Sequence, residues 1–153
     1  MSVVSLSVPH FKQEKPYSCL PACVRMVLAH YGRLVTEDEL RQLMGTSLHG
    51  TPARAVLQVA ALGFDMQLRF TNLGELTAAL RTGTPPIAFV NTGSLDYWSF
   101  DCAHVLVVVG MDVASVSVND PTRDSGAQQT SLSGLHAAWA ANRCLAAFIR
   151  PQP

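Results

Sequence analysis

A cysteine stands at position 19, where a polar stretch gives way to an apolar sequence typical of a helix. The first backbone N–H groups of a helix have no partner within the helix, and the helix dipole adds positive potential there. A thiolate is stabilised in such a place, and the thiolate is the nucleophilic form of cysteine. Cys19 is therefore a candidate nucleophile that needs a base and an oxyanion donor from the rest of the chain.

Nucleophilic cysteine chemistry requires a base within hydrogen-bonding distance and a third group that orients the base. The candidate bases are the five histidines of the sequence, His10, His30, His49, His104 and His136. His30 falls at the end of the first predicted helix, where a cation is favourable without any catalytic role. His104 alone stands beside a sequence pattern that constrains its geometry, whereas the other three fall in predicted loops or on a helix surface.

Two apolar-rich segments, residues 105–110 and 115–119, are separated by a short turn and are expected to pair as an antiparallel hairpin. The apolar pattern favours the register in which His104 lies opposite Asp120. Directly opposed residues point to the same face of a sheet. Because a carboxylate holds a neighbouring imidazole in one tautomer and stabilises its cation, the pattern predicts His104 as the base and Asp120 as its orienting partner.

A glutamine, Gln13, precedes Cys19 by six positions and could donate its side-chain amide to an oxyanion formed beside the thiol. Each of the three proposed partners of Cys19 also has a purely structural interpretation. Gln13 fits a solvated loop, His104 a core-edge histidine bonded to the backbone, and Asp120 a turn before proline.

These residues must be positioned by helices in the first half of the chain and strands in the second, which predicts an α+β architecture. The expected helices cover residues 19–30 with Gly32 as C-cap, 37–43 behind a Thr36–Glu39 capping box, Pro52 to about Leu62 with Thr51 as cap and Gly63 as stop, and 73 to about 81 after Asn72. The expected strands are 3–8, 64–70, 87–90, 103–110, 115–119 and 144–149, with a polar loop over 120–130 and a helix over 131–142.

The bulk composition indicates one globular domain over residues 1–153. Hydrophobic residues make up 48% of the 153 residues and charged residues 14%, and 11 basic residues balance 11 acidic ones. Without a basic excess, nucleic acid and anionic membrane surfaces are not expected partners. The N-terminus lacks the features of a signal peptide, so we expect a cytoplasmic chain whose four cysteines stay reduced.

Several segments in this order resemble the C39 family of papain-like cysteine peptidases, known as N-terminal domains of bacteriocin-exporting ABC transporters. The matching segments are Gln13, Ser18–Gly32, Ala61–Phe64, Pro85–Ala88, His104–Gly110 and Asn119–Pro121. The resemblance implies a papain-like fold, with the helical half packed on an antiparallel sheet. It also implies a thiol protease without a cofactor that acts on a peptide or protein substrate.

The resemblance further implies the roles of nucleophile for Cys19, general acid/base for His104, orienting residue for Asp120 and oxyanion donor for Gln13. The transporter-linked members cut a leader peptide after a Gly-Gly pair. Here Leu20 follows the cysteine where glycine is usual, which predicts a bulkier cleft wall. The sequence also contains no transmembrane or ATPase segment, so the resemblance predicts a free-standing domain.

Two other residues, Tyr97 and Trp98, precede His104 in a loop that could line a peptide-binding groove or simply cover the core. Two further classes of function stay open at this point. The first is a non-catalytic, peptide-binding C39-like module. The second is a zinc site built from Cys19, Cys23, Cys102 and His104, although the helical spacing of the first two cysteines does not suit a zinc knuckle.

Overall fold

The chain folds as helices in its first half and an antiparallel sheet in its second, as a computed structural model of residues 3–153 describes. The helices are α1 (Cys19–His30), α2 (Glu37–Leu43), α3 (Leu73–Arg81) and α4 (Leu132–Ala140). The strands are β1 (Val4–Ser5), β2 (Phe64–Phe70), β3 (Ile87–Asn91), β4 (Ala103–Met111), β5 (Ser115–Asn119), β6 (Gln128–Ser131) and β7 (Leu145–Pro151). The predicted α+β architecture is confirmed.

Helix α1 has the bounds that the sequence predicted, and its end is fixed by Gly32. Gly32 has a φ of +82°, a left-handed conformation that glycine adopts without a Cβ clash. Its N–H bonds to the carbonyl of Ala29, and the N–H of Arg33 bonds to the carbonyl of Leu28, both at 2.9 Å. These two bonds form a Schellman motif, which satisfies carbonyl groups at the end of the helix.

Helices α2 and α3 also confirm their predicted starts. The Thr36 hydroxyl accepts the backbone N–H of Glu39, whose carboxylate accepts the N–H of Thr36 in return, which completes a capping box. The side chain of Asn72 caps α3 by accepting the N–H of Glu75 at 2.9 Å. Each start thus follows from local side-chain chemistry.

The third predicted helix is a 3₁₀ helix over Ala53–Leu62 that ends at Gly63 with a left-handed φ of +93°. Its predicted cap was wrong, because Pro52 occupies the N-cap position and no side chain caps the helix. The hydroxyl of Thr51 instead pairs with that of Thr46 at 2.7 Å. The hydroxyl of Thr51 is therefore bonded to a loop residue and not to the first turn of the helix.

The sheet has the order β2-β7-β3-β4-β5-β6, with β1 paired to the end of β4, and every pair is antiparallel. Helices cover both of its faces. One apolar cluster joins α1, α2 and the 3₁₀ helix to the odd-numbered valines of β4, and the other joins α3 and α4 to the even-numbered residues Leu106 and Val108. Strand β4 is therefore buried on both sides and forms the centre of the fold.

The predicted register of the β4–β5 hairpin was wrong by two residues next to its open end. Val107 pairs with Asn119 and Val108 with Val118, so Asp120 does not lie directly opposite His104. The register shifts again by one residue near the turn, between Val108 and Gly110. Because side chains alternate with a period of two, a two-residue shift keeps His104 and Asp120 on one face.

The predicted polar loop over residues 120–130 was also wrong at its end, where Gln128–Ser131 forms β6 beside β5. A strand of glutamine, threonine and serine at a sheet edge lacks the apolar alternation that identifies a strand in a sequence. The predicted strand over residues 3–8 is reduced to Val4–Ser5. Within residues 3–153, no helix is long and apolar enough to cross a membrane.

Candidate active site

Three elements meet at one end of the sheet, and each contributes a residue that the sequence predicted for the site. Cys19 is the first residue of α1, His104 is the second residue of β4, and Asp120 directly follows β5. Val105 and Val107, next along β4, pack in the same cluster as α1, which brings the start of the helix to the start of the strand. The packing of the core therefore brings Cys19 and His104 to the same end of the sheet.

The imidazole of His104 and the carboxylate of Asp120 form a buried hydrogen-bonded pair. Nε2 of His104 donates to Oδ1 of Asp120 at 2.8 Å, and the side chains are 5% and 0% exposed. The predicted contact is therefore present in spite of the different register. Because Nε2 is bound to Asp120, Nδ1 is the ring nitrogen that remains available to Cys19.

The pair holds His104 in its charged form. Burial by itself lowers the pKa of His104, but hydrogen bonds to Asp120 and Cys19 and the charges of both outweigh it and raise the pKa to about 9. Burial raises the pKa of Asp120, yet the hydrogen bond and charge of His104 together hold it well below its usual range. At neutral pH the pair is thus an imidazolium beside a carboxylate.

The carboxylate of Asp120 accepts four further hydrogen bonds besides that of His104. Thr122 donates its backbone N–H and its hydroxyl to Oδ1 at 2.9 and 2.8 Å. The Tyr97 hydroxyl and the Trp98 indole N–H donate to Oδ2 at 2.7 and 2.9 Å. A buried carboxylate is stable only when its acceptor positions are filled in this way.

Thr122 is a site residue that the sequence reasoning missed. The signal for it was local, because an aspartate commonly bonds to the backbone two residues further along the chain in a turn. The partners Tyr97 and Trp98, in contrast, are over twenty residues from Asp120 in the sequence, and no spacing rule connects them to it. Their polar groups point to Asp120, and their rings are half-buried.

Aromatic rings and a guanidinium surround the His104–Asp120 bond. The ring of Trp98 lies 5.1 Å from that of His104. The guanidinium of Arg123 lies 5.1 Å from the Tyr97 ring and 5.4 Å from the Trp98 ring, and it donates to the carbonyl of Tyr97 at 3.1 Å. These contacts hold the loop that covers the pair and limit the access of water to it.

The structure places Gln13 in the loop that leads into α1. Its backbone N–H donates to the carbonyl of Pro121 at 2.7 Å, which ties it to the residue after Asp120. Its side-chain Nε2 donates to the carbonyl of Lys15 at 2.7 Å, so one of its two amide hydrogens is engaged and the other remains. Oε1 of Gln13 is buried without a hydrogen bond among the described residues.

The side chain of Leu20 does not form a cleft wall as predicted. It is 1% exposed and packs in the cluster beneath α1. The first turn of an amphipathic helix turns this position inward, while Cys19 stays partly exposed. Residue 20 can therefore contribute its backbone to a site but not its side chain.

All four cysteines are free, and they do not converge on a metal site. Cys23 is buried, its thiol donates to the carbonyl of Val105 at 3.5 Å, and burial raises its pKa well above the usual value. Within residues 3–153, no group of three histidine, cysteine or acidic side chains is arranged to hold a metal ion. The zinc interpretation of Cys19, Cys23, Cys102 and His104 thus has no geometric support.

Similarity to known sequences extends over most of the chain. A sequence model of the peptidase C39 family matches residues 7–149. The chain is 33% identical over 109 residues to an uncharacterized protein of Methanothermobacter thermautotrophicus, which covers 71% of this chain and 68% of that protein. It is 43% identical over 54 residues to the lactococcin-G-processing and transport ATP-binding protein LagD of Lactococcus lactis, 35% of this chain and only 8% of LagD.

Solved structures share the fold. A crystal structure assigned as a C39-like peptidase from Bacillus anthracis has a TM-score of 0.82 at 17% identity and covers 99% of both chains. A double glycine motif protease from an AMS/PCAT transporter, in complex with the leader peptide, has a TM-score of 0.76 at 21% identity and covers 97% of this chain and 95% of its own. The likeness confirms the predicted architecture of helices followed by an antiparallel sheet.

Proposed function

The chain belongs to the peptidase C39 family, and we propose that it is a cysteine peptidase with Cys19, His104 and Asp120 as its catalytic triad. The observation that supports this most directly is the buried His104–Asp120 pair, bonded at 2.8 Å and next to the thiol at the start of α1. A carboxylate that accepts five hydrogen bonds holds the imidazole in one orientation and one tautomer. That arrangement suits an acid/base residue that serves a nucleophile.

In the first step of the proposed reaction, the Cys19 thiolate attacks the carbonyl carbon of the peptide bond. A C–S bond forms, and the carbonyl electrons move to oxygen. When they return, the C–N bond breaks and the His104 imidazolium gives its Nδ1 proton to the leaving amine. In the second step, His104 takes a proton from water, the resulting hydroxide attacks the thioester, and Cys19 leaves as the thiolate.

The developing oxyanion needs hydrogen-bond donors that are already in place. The backbone N–H of Cys19 lies at the start of α1, where helix N–H groups lack intrahelical partners. The second amide hydrogen of Gln13 is the other proposed donor, because the first is bound to the carbonyl of Lys15.

The group that attacks the thioester decides the outcome of the reaction. Attack by water gives hydrolysis, and attack by the amine of another peptide would give transpeptidation instead.

The proposed substrate is a peptide or protein segment with small residues before the scissile bond. One solved structure with the same fold is that of a double glycine motif protease in complex with the leader peptide. Small residues would let an extended backbone approach a nucleophile that lies at the start of a buried helix and is itself only partly exposed.

The test is a cleavage profile with a peptide library that includes double-glycine leader sequences, with Cys19→Ala as the inactive variant. We expect the wild-type protein to cut and Cys19→Ala to bind the same peptides without cutting them. Cys144→Ala is the matched control, since Cys144 lies on the opposite face of the sheet, against the cluster of α3 and α4. It should cut at the wild-type rate.

Iodoacetamide at low excess gives a second measurement that needs no substrate. Cys19 should be alkylated first, ahead of Cys102 and Cys144, and Cys23 last because it is buried. Peptide binding without cleavage, together with equal alkylation of the accessible cysteines, would contradict the proposal and favour a non-catalytic peptide-binding domain.

A further inference from the structure

The loop of residues 13–18 leads into α1 and includes the proposed oxyanion donor Gln13. The carbonyl of Lys15 accepts three hydrogen bonds within it, from Nε2 of Gln13 at 2.7 Å, the Ser18 hydroxyl at 3.0 Å and the Ser18 N–H at 3.3 Å. The Ser18 hydroxyl also accepts the N–H of Lys15 at 3.0 Å. The loop is thus a small closed unit, and its position sets the position of the Gln13 amide.

Two backbone N–H groups of this loop bond to the rest of the fold. On one side the N–H of Gln13 donates to the carbonyl of Pro121 at 2.7 Å, next to Asp120. On the other side the N–H of Glu14 donates to Oε1 of Glu37 at 3.0 Å. The second contact joins the loop to α2, whose Arg41 also lies 3.5 Å from the carboxylate of Glu14.

The cap of α2 is formed by Thr36 and Glu39 and does not involve the side chain of Glu37. An acidic residue in the first turn favours a helix when it is exposed, and Asp38 and Glu39 are exposed in this same turn. Glu37 is nevertheless 1% exposed. Burying a carboxylate costs free energy unless its oxygens are matched, so a buried carboxylate requires a reason in the surrounding structure.

The charges around Glu37 are only partly matched. Its Oε2 lies 3.5 Å from Nε of Arg41, and both atoms are buried without a hydrogen bond among the described residues. The carboxylate of Glu14 lies 3.5 Å from Arg41 and 3.6 Å from Arg25. Oε1, which holds the loop, is the oxygen of Glu37 with a good hydrogen bond.

We propose that Glu37 is a positioning residue that fixes the 13–18 loop and, through it, the Gln13 amide that is the proposed oxyanion donor. The proposal rests on the proposed peptidase function and extends it to a residue outside the triad. Loss of the Glu37 acceptor would release the N–H of Glu14 and let the Gln13 amide move away from the oxyanion. The thiol and the His104–Asp120 pair, which are held by other contacts, would stay in place.

The test compares Glu37→Met with Glu37→Gln, which have similar size and differ in whether an acceptor oxygen remains for the N–H of Glu14. We expect Glu37→Met to lower kcat by about tenfold to a hundredfold, since a displacement of about 1 Å has effects of this size. KM should change little, and Glu37→Gln should recover most of kcat. Alkylation of Cys19 by iodoacetamide forms no oxyanion, so its rate should equal that of the wild type in both variants.

A double-mutant cycle links the effect to Gln13. In a Gln13→Ala background, Glu37→Met should cause no further loss of kcat, because the donor that it positions is already gone. The matched control is Glu39→Ala, which removes half of the α2 capping box and makes no contact with the loop. Additive losses, or the same fall in kcat with Glu39→Ala, would mean that Glu37 acts only through the stability of α2.

Amide hydrogen exchange in the Cys19→Ala protein tests the contact between Glu14 and Glu37 without a measurement of activity. Residues 13–18 should exchange faster with Glu37→Met than with Glu37→Gln or Glu39→Ala. Unchanged exchange in that loop would overturn the proposal even if peptide cleavage is demonstrated. A wild-type protein that cuts no peptide would overturn the peptidase function itself. Faster exchange of residues 13–18 in Glu37→Met would then still show that Glu37 holds the loop in place.

Discussion

At the scale of single residues, the site depends on one buried carboxylate. Asp120 is fully buried and accepts five hydrogen bonds, three on Oδ1 and two on Oδ2. The donors and the charge of His104 hold its pKa low, and Asp120 in turn contributes to the raised pKa of His104. Each partner thus keeps the other charged, and folding is linked to both protonation states.

We predict that the stability of the protein falls as the pH rises from 6.5 to 9. The folded-state pKa of His104 is about 9 against an ordinary value of 6.5, so the folded protein holds this proton more tightly than the unfolded chain does. The resulting stabilisation, on the order of 3 kcal/mol, is complete below about pH 6.5 and is lost as the pH passes through 9. Denaturant unfolding across this range measures it.

The lowered pKa of Asp120 makes stability depend on pH in the opposite direction and over a different pH range. Its stabilisation is complete above the ordinary pKa of an aspartate, near 4, and is lost as the pH falls below that value. The pair is therefore most stabilising between about pH 4 and 6.5. In Asp120→Asn the decline between pH 6.5 and 9 should become much smaller, because only Cys19 then raises the pKa of His104. An unchanged decline would assign it to another group.

At the scale of elements, the segment between β3 and β4 brings Tyr97 and Trp98 onto Oδ2 of Asp120. The guanidinium of Arg123 lies against both rings and bonds to the backbone of the same segment. This segment therefore belongs to the support of the triad. The sequence suggested a groove-lining role for the two aromatic residues, and that role remains a prediction for the faces of their rings.

We predict that Tyr97→Phe and Trp98→Phe each lower stability by about 1 kcal/mol, because each removes one donor from a buried oxygen. Each should also lower kcat/KM by about threefold to tenfold, since a loosely held Asp120 orients His104 less well. Denaturant unfolding and peptide cleavage measure the two effects.

Tyr31→Phe is the matched control for this prediction. It also removes a hydroxyl that donates at 2.7 Å, but to the carbonyl of Ile149, in the cluster beneath α1. It should lower stability by a similar amount and leave kcat/KM unchanged. A similar loss of kcat/KM in all three variants would show that the effect comes from stability and not from the orientation of Asp120.

At the scale of the whole molecule, two separate apolar clusters lie on the two faces of one sheet. Cys19 packs against the α1 cluster, and Trp98, whose ring lies 5.1 Å from that of His104, packs against the cluster of α3 and α4. Strand β4 is shared by both, through odd-numbered residues on one face and even-numbered residues on the other. The nucleophile and its base are thus held by different cores that meet only through the sheet.

We predict that cavity mutations in the two clusters are additive. Val27→Ala in α1 and Val118→Ala in β5 should each cost about 2 kcal/mol of unfolding free energy, from the lost burial of two methyl groups and the cavity left behind. Since the residues share no cluster, the double variant should equal the sum within about 0.5 kcal/mol. A coupling above that value, measured by denaturant unfolding, would mean that the two faces repack together.

Features that depend on local chemistry could be predicted from the sequence. The capping box at Thr36, the Asn72 cap and the left-handed Gly32 follow from side chains within a few residues of one another, and the bounds of α1, α2 and α3 are as predicted. The contact between His104 and Asp120 was also predictable. It depends on the two-residue period of strands, which a register shift of two leaves unchanged.

Contacts between residues far apart in the sequence became known from the folded structure and could not be predicted from the sequence. The register of the β4–β5 hairpin, the polar strand β6, the burial of Leu20 and the Tyr97 and Trp98 bonds to Asp120 each depend on which surfaces the packed chain brings together. The Glu37–Glu14 contact is of the same kind. A polar side chain in a sequence does not indicate its partner, because burial creates the need for one and packing alone selects it.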